Sequence, residues 1–498
     1  MESLSETIWD VLICGTGLQN SLLALALSRS KKKILHVDSK KYYGNNEAAF
    51  SLQELEDWVT EAQKCKELKQ TSFKANVIGS SRSNFKNVKI SKKVISESLK
   101  LQSSRSYSLS LSPQIIYTKS SLLGNLISSK AYRHLEFQAV GNWWICDQEN
   151  GLNMRKIPTG REDIFRDKAI DNRGKRNLMR FLKLMLNEED LLQHCHNFGQ
   201  QMLDEYLDKR FELSPYLRQV IAAITLSLNP IHKTSVEWAI PRISLYLKSF
   251  GAFGPGFNAV VPKWGGCAEI AQVACRACAV GGGVYMLGTT IQSIKPPEEE
   301  IESLTEVLLS NGSVIRVKNV VKNNEQPSET VKTLSKIVAV VPSSLDTLFN
   351  TSGDIAPVPA VCLVVFPPDS IKTQDTTNNS PIYITIHSSG TGECPTDQCV
   401  LYGTTISSEN SKALLESSVS KILKTVQGDE LESLLSLSYD QESRVTSHNK
   451  DHEFMVIEPY VELAFDDNLL RSVEREWKLL TQDDQVPGTF MNFDELQK

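Results

Sequence analysis

The sequence lacks the features of a secreted or membrane-embedded protein. Nowhere in its 498 residues does an apolar run approach the roughly 20 residues that a transmembrane helix needs. The opening MESLSETIWD is polar and leads directly into an apolar run, which leaves no room for a secretory or transit segment. The closing NFDELQK offers no prenylation cysteine. We therefore expect a cytoplasmic protein that meets membranes only transiently, through a partner or a pocket.

The sequence also lacks strong charge and any ordered cysteine pattern. A formal net charge of −5 gives no reason to expect nucleic-acid binding. The ten cysteines are scattered, as is typical of reduced intracellular thiols. His194-Cys195-His196 has no matching second ligand pair, which favours surface residues over a zinc site. Cys275 and Cys278 lie in an apolar helical pattern and are expected to be buried thiols rather than a redox pair.

Residues 10–44 have the layout of a dinucleotide-binding unit: strand, glycine turn, helix, strand and acid. Gly15 and Gly17 fill the first two glycine positions, and Asp38 stands where an acid would bond a ribose hydroxyl. The third glycine position holds Asn20, whose side chain would intrude on the site. Either a flavin is bound or only the scaffold is present. Because no convincing catalytic set accompanies the unit, we expect no flavin cofactor.

Changes of hydrophobic period along the chain predict an α/β protein with a helical insertion. Around 119–228 the pattern is helical, with no convincing strand; Asp171 and Ser214-Pro215 provide helix-start signals there. The predicted units are domain I, first part (1–118, with a probable flexible Ser- and Lys-rich insertion at 71–112), helical domain II (119–228), domain I, second part (229–480), and a loose acidic tail (481–498).

Three blocks of sequence, taken together, resemble the Rab escort protein and Rab GDP-dissociation inhibitor superfamily. They are HVDSKKYYG, SPQIIYTKSSLLGNLISSKAYRHLEF and GGCAEIAQVACRACAVGGGVYML, and the resemblance runs from about residue 8 to 295 and more faintly to the end. It implies a flavoprotein-like (FAD/NAD-binding type) domain I that binds no flavin, with an inserted all-helical domain II. This agrees with the helical insertion expected from the residues alone.

The resemblance further implies a platform on domain I that grips the switch regions of GDP-bound Rab GTPases. By motif, its residues are Tyr43, Glu269 and Arg276. Glu269 and Arg276 are seven apart, which places both on one helical face. The alternative is that the charged pair makes solvated surface contacts and Tyr43 is core. The sequence departs from the family pattern at three positions. Asn45 replaces a glycine, Ala271 replaces a proline, and Ser249, next to Lys248, replaces a basic residue.

The two branches of the superfamily differ in whether they dock on the prenyl transferase. Escort proteins use a phenylalanine and, 11 residues later, an arginine in domain II, and Phe165 and Arg176 have that spacing in the matching block. An exposed aromatic beside a guanidinium is a plausible two-point anchor. The alternative is that Phe165 packs under its own helix and Arg176 belongs to a solvated basic face.

The third implied ligand is the geranylgeranyl chain of the Rab protein, held between helices of domain II. Apolar candidates for its slot, each of which could equally be core, are Leu122, Leu123, Leu126, Leu182, Met185, Val220, Ile221 and Ile224. The favoured expectation is a non-catalytic Rab escort protein, which presents Rab to the geranylgeranyltransferase heterodimer and delivers the product to membranes. The alternatives are a Rab GDP-dissociation inhibitor and, on the same scaffold, a flavin-dependent oxidoreductase.

Overall fold

The computed structural model describes most of the chain. The described residues are 4–71, 84–97, 99–146, 154–168, 170–295, 304–323, 330–350, 358–373, 376–428, 431–445, 455–457, 462–482 and 489–493.

The α-helices within these residues, in chain order, fall into three stretches of the chain. Three come early: α1 (Leu18–Leu27), α2 (Leu52–Thr71) and α3 (Ser121–Ser128). The next six follow closely on one another: α4 (Arg161–Arg166), α5 (Asn172–Leu186), α6 (Glu188–Phe198), α7 (Leu203–Phe211), α8 (Pro215–Ile224) and α9 (Val236–Lys248). Four come later: α10 (Cys267–Val280), α11 (Asp346–Phe349), α12 (Ser411–Gln427) and α13 (Asp467–Thr481).

The strands are distributed along the whole described chain. Those before α10 are β1 (Ile8–Cys14), β2 (Ile34–Asp38), β3 (Ala49–Phe50), β4 (Phe85–Lys92), β5 (Leu109–Ser110), β6 (Ile116–Tyr117), β7 (Phe137–Cys146), β8 (Met154–Lys156) and β9 (Ala259–Pro262). Those after it are β10 (Val284–Leu287), β11 (Ile291–Lys295), β12 (Thr305–Leu309), β13 (Val314–Asn323), β14 (Thr330–Val341), β15 (Val361–Phe366), β16 (Ile382–Ser388), β17 (Cys399–Ile406), β18 (Leu435–Val445) and β19 (Met455–Ile457).

Two sheets carry the architecture. The first has the order β10-β2-β1-β13-β12-β11, with β19 added on β13, and its β10, β2, β1, β13 and β19 strands pair in parallel. Helices α1 and α10 cover one face of it, and every residue of α1 is buried because α10 and α13 also pack on that helix. A parallel sheet with crossover helices is the frame expected from residues 10–44, and the α/β class is confirmed.

The second sheet links the rest of the molecule. Its order is β4-β18-β14-β17-β16-β15-β7-β9-β6, with β8 paired to β7. Helices α5 and α7–α9 cover part of one face, where a single apolar core joins helical residues such as Phe181 and Ile240 to Trp143 and Tyr383 of the sheet. The helical insertion is therefore seated on the sheet through shared side chains.

The predicted boundaries of the helical domain were wrong on both sides. Strands β7 and β8 lie inside 119–228, where no strand was expected, because FQAVGNWWIC is largely buried and does not alternate between apolar and polar residues. Helix α9 lies beyond 228, yet it packs on α5, α6, α7 and α8. The helical layer thus runs from Arg161 to Lys248, and its strongest helix-start signals, Asp171 and Ser214, do cap α5 and α8.

Two segments expected to be loose contain ordered structure. Within 71–112, β4 pairs along β18 and Tyr107 is buried in the core, although residues 72–83 lie outside the described residues. Within 481–498, Met491 is buried among side chains of the α1–α13 layer, and the Phe490 ring packs edge-on against Trp477. The description of 71–112 as a flexible insertion and of 481–498 as a loose tail was therefore wrong for these parts.

Among the helices that the structure describes, none combines the length and apolar character needed to cross a bilayer.

Candidate functional site

The glycine turn after β1 is held by bonds within the chain. Gly15 has φ of 92°, a left-handed conformation that glycine adopts without strain. The Asp38 carboxylate accepts hydrogen bonds from the Thr16 backbone N–H and hydroxyl, both at 2.6 Å, and from the Lys40 N–H at 2.8 Å. Burial raises the pKa of Asp38. The acid that would bond a ribose hydroxyl therefore already has three donors.

Asn20 and Glu47 complete this turn. The Asn20 amide donates to the carbonyls of Cys14 at 2.6 Å and Gly15 at 3.1 Å, so the third glycine position is filled by a side chain that ties the turn to its helix. The Glu47 carboxylate accepts the Leu18 N–H at 3.2 Å, in the first turn of α1. Glu47 is a residue that sequence reasoning missed, since nothing in the pattern relates position 47 to position 18.

The proposed platform residues lie around the exposed side of α10. This helix is unbroken from Cys267 to Val280, so Glu269 and Arg276 share a face two turns apart. Arg276 is exposed, and Glu269 is half-buried, which raises its pKa. Neither makes an ion pair with a residue that the structure describes. Two opposite charges are thus available to a partner.

Tyr43 lies beside the middle of this helix. Its ring centroid is 6.2 Å from that of Tyr285 on β10, and partial burial raises its pKa, with a further contribution from nearby Cys275. The side chain is neither core nor fully exposed. Tyr43 therefore stands next to the turn of α10 that carries Arg276.

Further exposed residues lie on the same side of α10 as Glu269 and Arg276, and together they form a stripe along the helix. Gln272 lies between Glu269 and Arg276 on the exposed side, and Val280 at the end of the helix is 77% exposed. An apolar side chain with so much exposure next to charged groups is a common feature of protein interfaces. The spacing of 269, 272, 276 and 280 could have predicted this stripe, but only with knowledge of which face of α10 is buried.

Ser249, where the resemblance implied a basic residue, lies inside the protein. Ser249 is fully buried at the end of α9, and its carbonyl accepts a hydrogen bond from the Thr118 hydroxyl. The neighbouring Lys248 is engaged by Glu188, with 2.8 Å between the ammonium nitrogen and a carboxylate oxygen. Lys248 thus has its own partner within the helical layer.

Phe165 and Arg176 occupy the adjoining ends of α4 and α5. The Phe165 ring is 53% exposed, so it does not pack under its own helix. The Lys175 ammonium donates to the Phe165 carbonyl at 2.9 Å, which ties the end of α4 to the first turns of α5. Arg176 is exposed and makes no hydrogen bond or ion pair with any described residue, while the other face of α5 is buried. An aromatic and a free guanidinium are therefore presented near each other.

The lipid-pocket candidates do not form one lining. Leu122, Leu123 and Leu126 of α3 are buried in the core that includes α1, α10 and α13. The remaining candidates, Leu182, Met185, Val220, Ile221 and Ile224, belong to the core between the helical layer and the second sheet. Grouping α3 with the helical layer was wrong, because α3 belongs to the layer that covers the first sheet.

The histidines and cysteines singled out in the sequence have ordinary surroundings. The His194 ring nitrogen Nδ1 lies 2.8 Å from the Tyr206 hydroxyl. Cys275 and Cys278 are buried, and the Cys275 sulfur lies 3.3 Å from the Ser21 hydroxyl. Burial raises the pKa of the Cys275 thiol to about 11, which disfavours the reactive thiolate. Among the described residues, no cluster of His, Cys, Asp or Glu is arranged to hold a metal ion.

Comparison with known proteins gives a family match that spans most of the chain. The model of the GDP dissociation inhibitor family matches residues 4–78 and 79–456. The chain belongs to the GDP dissociation inhibitor family. Similar proteins include the Rab proteins geranylgeranyltransferase component A of Saccharomyces cerevisiae, 30% identical over 79% of this chain, and of Candida albicans, 29% identical over 82% of it. The chain spans about 60% of the length of these two relatives.

Solved structures support the same fold for this member of the GDP dissociation inhibitor family. The Rab GDI of Plasmodium falciparum superposes with a TM-score of 0.65 at 18% identity, covering 97% of this chain and 99% of that one. An oxidoreductase from Methanosarcina mazei superposes with a TM-score of 0.56 at 12% identity, covering 91% and 95%. The family therefore shares the flavoprotein-like architecture with redox enzymes, as the sequence predicted.

Proposed function

We propose that this chain is a Rab escort protein. It binds GDP-bound, unprenylated Rab GTPases, presents them to the geranylgeranyltransferase heterodimer, and carries the prenylated product to membranes from the cytosol. The transferase supplies the catalysis, and this chain is a non-catalytic accessory component. Membership of the GDP dissociation inhibitor family and the names of the relatives support Rab and the transferase as the partner classes.

One observation carries the choice of escort over recycling. Phe165 is exposed rather than packed, and Arg176 is exposed without a partner among the described residues, on helix ends joined through Lys175. An exposed aromatic and a guanidinium are the residue types that dominate the binding energy of protein interfaces. An exposed aromatic ring near an exposed guanidinium supports docking on a second protein better than it supports a role in folding.

The platform supports Rab as the first partner. Tyr43, Glu269 and Arg276 lie along one side of α10, where an aromatic, a carboxylate and a guanidinium can read a loop of a partner. Gln272 and Val280 extend the same stripe. The prenyl chain of the product then needs an apolar shelter, and the helical layer offers Leu182 and Val220, which are only partly buried on its core.

The proposal includes no flavin. A dinucleotide needs the N-terminus of the helix after the first strand for its pyrophosphate and the acid after the second strand for its ribose. Here the Leu18 N–H is bonded to Glu47, and Asp38 is bonded to Thr16 and Lys40. A pyrophosphate would meet a carboxylate at that helix end, so the residues present do not fit the group.

A reconstituted prenylation assay tests the function. Purified transferase, geranylgeranyl diphosphate and GDP-loaded Rab are incubated with and without this chain, and transfer of the labelled lipid is measured. We expect transfer to depend on the chain and to stop when Phe165 and Arg176 are both replaced by alanine. Transfer that proceeds equally without the chain contradicts the proposal. A visible absorption spectrum of the same preparation is expected to show no stoichiometric flavin band.

Recycling of prenylated Rab is the second candidate, favoured by the superposition on the Rab GDI of Plasmodium falciparum over nearly the whole chain. A recycling factor extracts prenylated, GDP-bound Rab from vesicles without transferase. Extraction by a chain that does not support prenylation would favour this second function. An oxidoreductase function has no such observation behind it.

A further inference from the structure

Glu47 lies at a junction of three parts of the fold. Its carboxylate accepts the Leu18 N–H at the start of α1. Its negative charge raises the pKa of Lys336, on β14 of the second sheet, and that of Cys267, at the start of α10. Burial raises the pKa of Glu47 to about 7 and lowers that of Lys336 to about 7, an effect that the Glu47 charge partly offsets. A carboxylate shielded from water at this junction is costly unless hydrogen bonds or a nearby cation compensate it.

The position of this carboxylate corresponds to that of a ligand in the parent fold. In a dinucleotide-binding unit, the first N–H groups of the helix after the glycine turn face the pyrophosphate, where the helix dipole also favours negative charge. A Cβ atom built on Gly17 would lie 3.6 Å from the Glu47 carboxylate, so the side chain lies directly over the turn. The chain thus supplies its own hydrogen-bond acceptor at the helix end.

The same residue ends the loop that carries Tyr43. After β2, the chain passes Tyr43, turns at Gly44 with φ of 92°, and forms a short 3-10 turn at Asn45–Glu47. The Gly44 N–H donates to the Thr16 carbonyl at 3.1 Å, and the Glu47 N–H donates to the Gly44 carbonyl at 2.8 Å. The loop is therefore fixed to the glycine turn at Gly44 by its backbone and at Glu47 by a side chain.

Lys336 of β14 is a cation in the neighbourhood of Glu47. The Lys336 ammonium donates to the Ser112 hydroxyl at 2.7 Å, and that hydroxyl donates to the Gln441 amide oxygen at 2.8 Å. Lys336 is buried and bonded to a neutral hydroxyl, and burial lowers its pKa to about 7, an effect that nearby Glu47 partly offsets. These bonds tie β14 and β18 of the second sheet to the segment that follows β5.

We propose that Glu47 is a positioning residue for Rab binding: by standing at the start of α1 where the parent fold holds a pyrophosphate, it holds the Tyr43 loop in the conformation that the platform requires. This inference rests on the proposed function for the role of Tyr43. The hydrogen bond between Glu47 and α1 is independent of the proposed function. The cofactor-facing turn of the parent fold thereby serves as a rigid support for a protein-binding surface.

The experiment compares Glu47→Ala and Glu47→Gln with the exposed control Glu409→Ala in the full chain. Two quantities are measured: amide hydrogen exchange of the peptide containing Leu18 in the free protein, and the Kd for GDP-loaded Rab. Loss of a hydrogen bond that leaves a backbone N–H of α1 without its partner makes an exchange and affinity change of about tenfold reasonable. We expect Glu47→Ala to speed exchange and raise Kd by about tenfold each.

The isosteric Glu47→Gln retains a carbonyl that can accept the Leu18 N–H, so both quantities should stay within about threefold of wild type. Should Glu47→Ala fail to fold, Glu47→Asp, which retracts the acceptor by one methylene, is expected to speed exchange and weaken binding in its place.

The outcomes separate the two proposals. Unchanged exchange in Glu47→Ala, or faster exchange with unchanged Kd, overturns the positioning role while leaving the platform intact. Equal losses in Glu47→Ala and Glu47→Gln also overturn it, because they assign the effect to charge instead of the bond to α1. A wild-type chain that does not bind Rab overturns the proposed function and the positioning role with it, even where the exchange data still report the Glu47 bond.

Discussion

The Asp38 carboxylate and Thr16 are joined twice, since one carboxylate oxygen accepts both the backbone N–H and the hydroxyl of Thr16 at 2.6 Å. Strands β1 and β2 are parallel neighbours, so the acid at the end of β2 lies beside the glycine turn that follows β1 and holds that turn in place. In a cofactor-binding unit these groups would face a ligand. In this chain they bond each other, and their contribution is to stability.

We expect Asp38→Asn to destabilise the folded protein by about 2 kcal/mol, because an amide nitrogen placed at the accepting oxygen leaves buried donors without a partner. The measurement is the free energy of unfolding from a urea titration. Asp397→Asn is the control, since Asp397 is exposed and has a φ of 64° that asparagine adopts readily. An unchanged midpoint for Asp38→Asn would contradict the structural role of this acid.

His36 lies on the same strand as Asp38, and its burial leads us to expect a lower free energy of unfolding in acid. Burial lowers its pKa from 6.5 to about 4, and its ring nitrogen Nε2 lies 2.7 Å from the Gly15 carbonyl. Between these two pH values the unfolded chain binds the proton more tightly than the folded one. The stability is therefore complete above pH 6.5 and is lost as pH falls toward 4, by about 3 kcal/mol.

The measurement is the free energy of unfolding at several pH values between 6.5 and 4, for wild type and for His36→Gln. The amide does not titrate, so the difference between the two curves should shrink as pH falls, even though the variant starts less stable. His232→Gln is the control, because His232 is exposed. Parallel curves for wild type and His36→Gln would contradict the buried neutral histidine.

Local sequence patterns predicted the elements that local chemistry determines. The strand, turn and helix of residues 8–27 and the Asp171 cap of α5 follow from periodicity and hydrogen-bonding groups a few residues apart. Asn311-Gly312, a residue pair typical of tight hairpin turns, joins β12 to β13. The fold class could therefore be derived without the structure.

The missed features depend on contacts that are distant in the sequence. Strand β7 is recognised only through its pairing with β15 and β9, because its own residues form an apolar run that suits a helix as well as a strand. The bond between Glu47 and Leu18 spans 29 positions. The platform residues came from a resemblance, and only the structure reveals that Glu269 and Arg276 are unpaired among its described residues.

We expect Tyr43→Ala and Arg276→Ala each to weaken binding of GDP-loaded Rab by about tenfold, since truncation of an aromatic or arginine anchor at an interface costs more than about 1 kcal/mol. The measurement is the Kd from fluorescence titration with labelled Rab. Arg471→Ala, an exposed arginine on α13, is the control. Wild-type affinity in both variants would show that Tyr43 and the exposed face of α10 do not contribute to Rab binding.

The final prediction separates transferase docking from Rab binding. Phe165→Ala removes a ring that is 53% exposed, and Arg176→Ala removes an exposed guanidinium that is unpaired among the described residues, so neither change opens a cavity in the core. We expect both variants to fold, to bind Rab with wild-type Kd, and to lose support of prenylation at least tenfold in the reconstituted assay. Leu192→Ala, another exposed apolar residue of the helical layer, should retain full activity. Because Rab affinity and prenylation are measured on the same preparations, a parallel loss of both would assign these residues to Rab binding, and full prenylation would move the docking surface elsewhere.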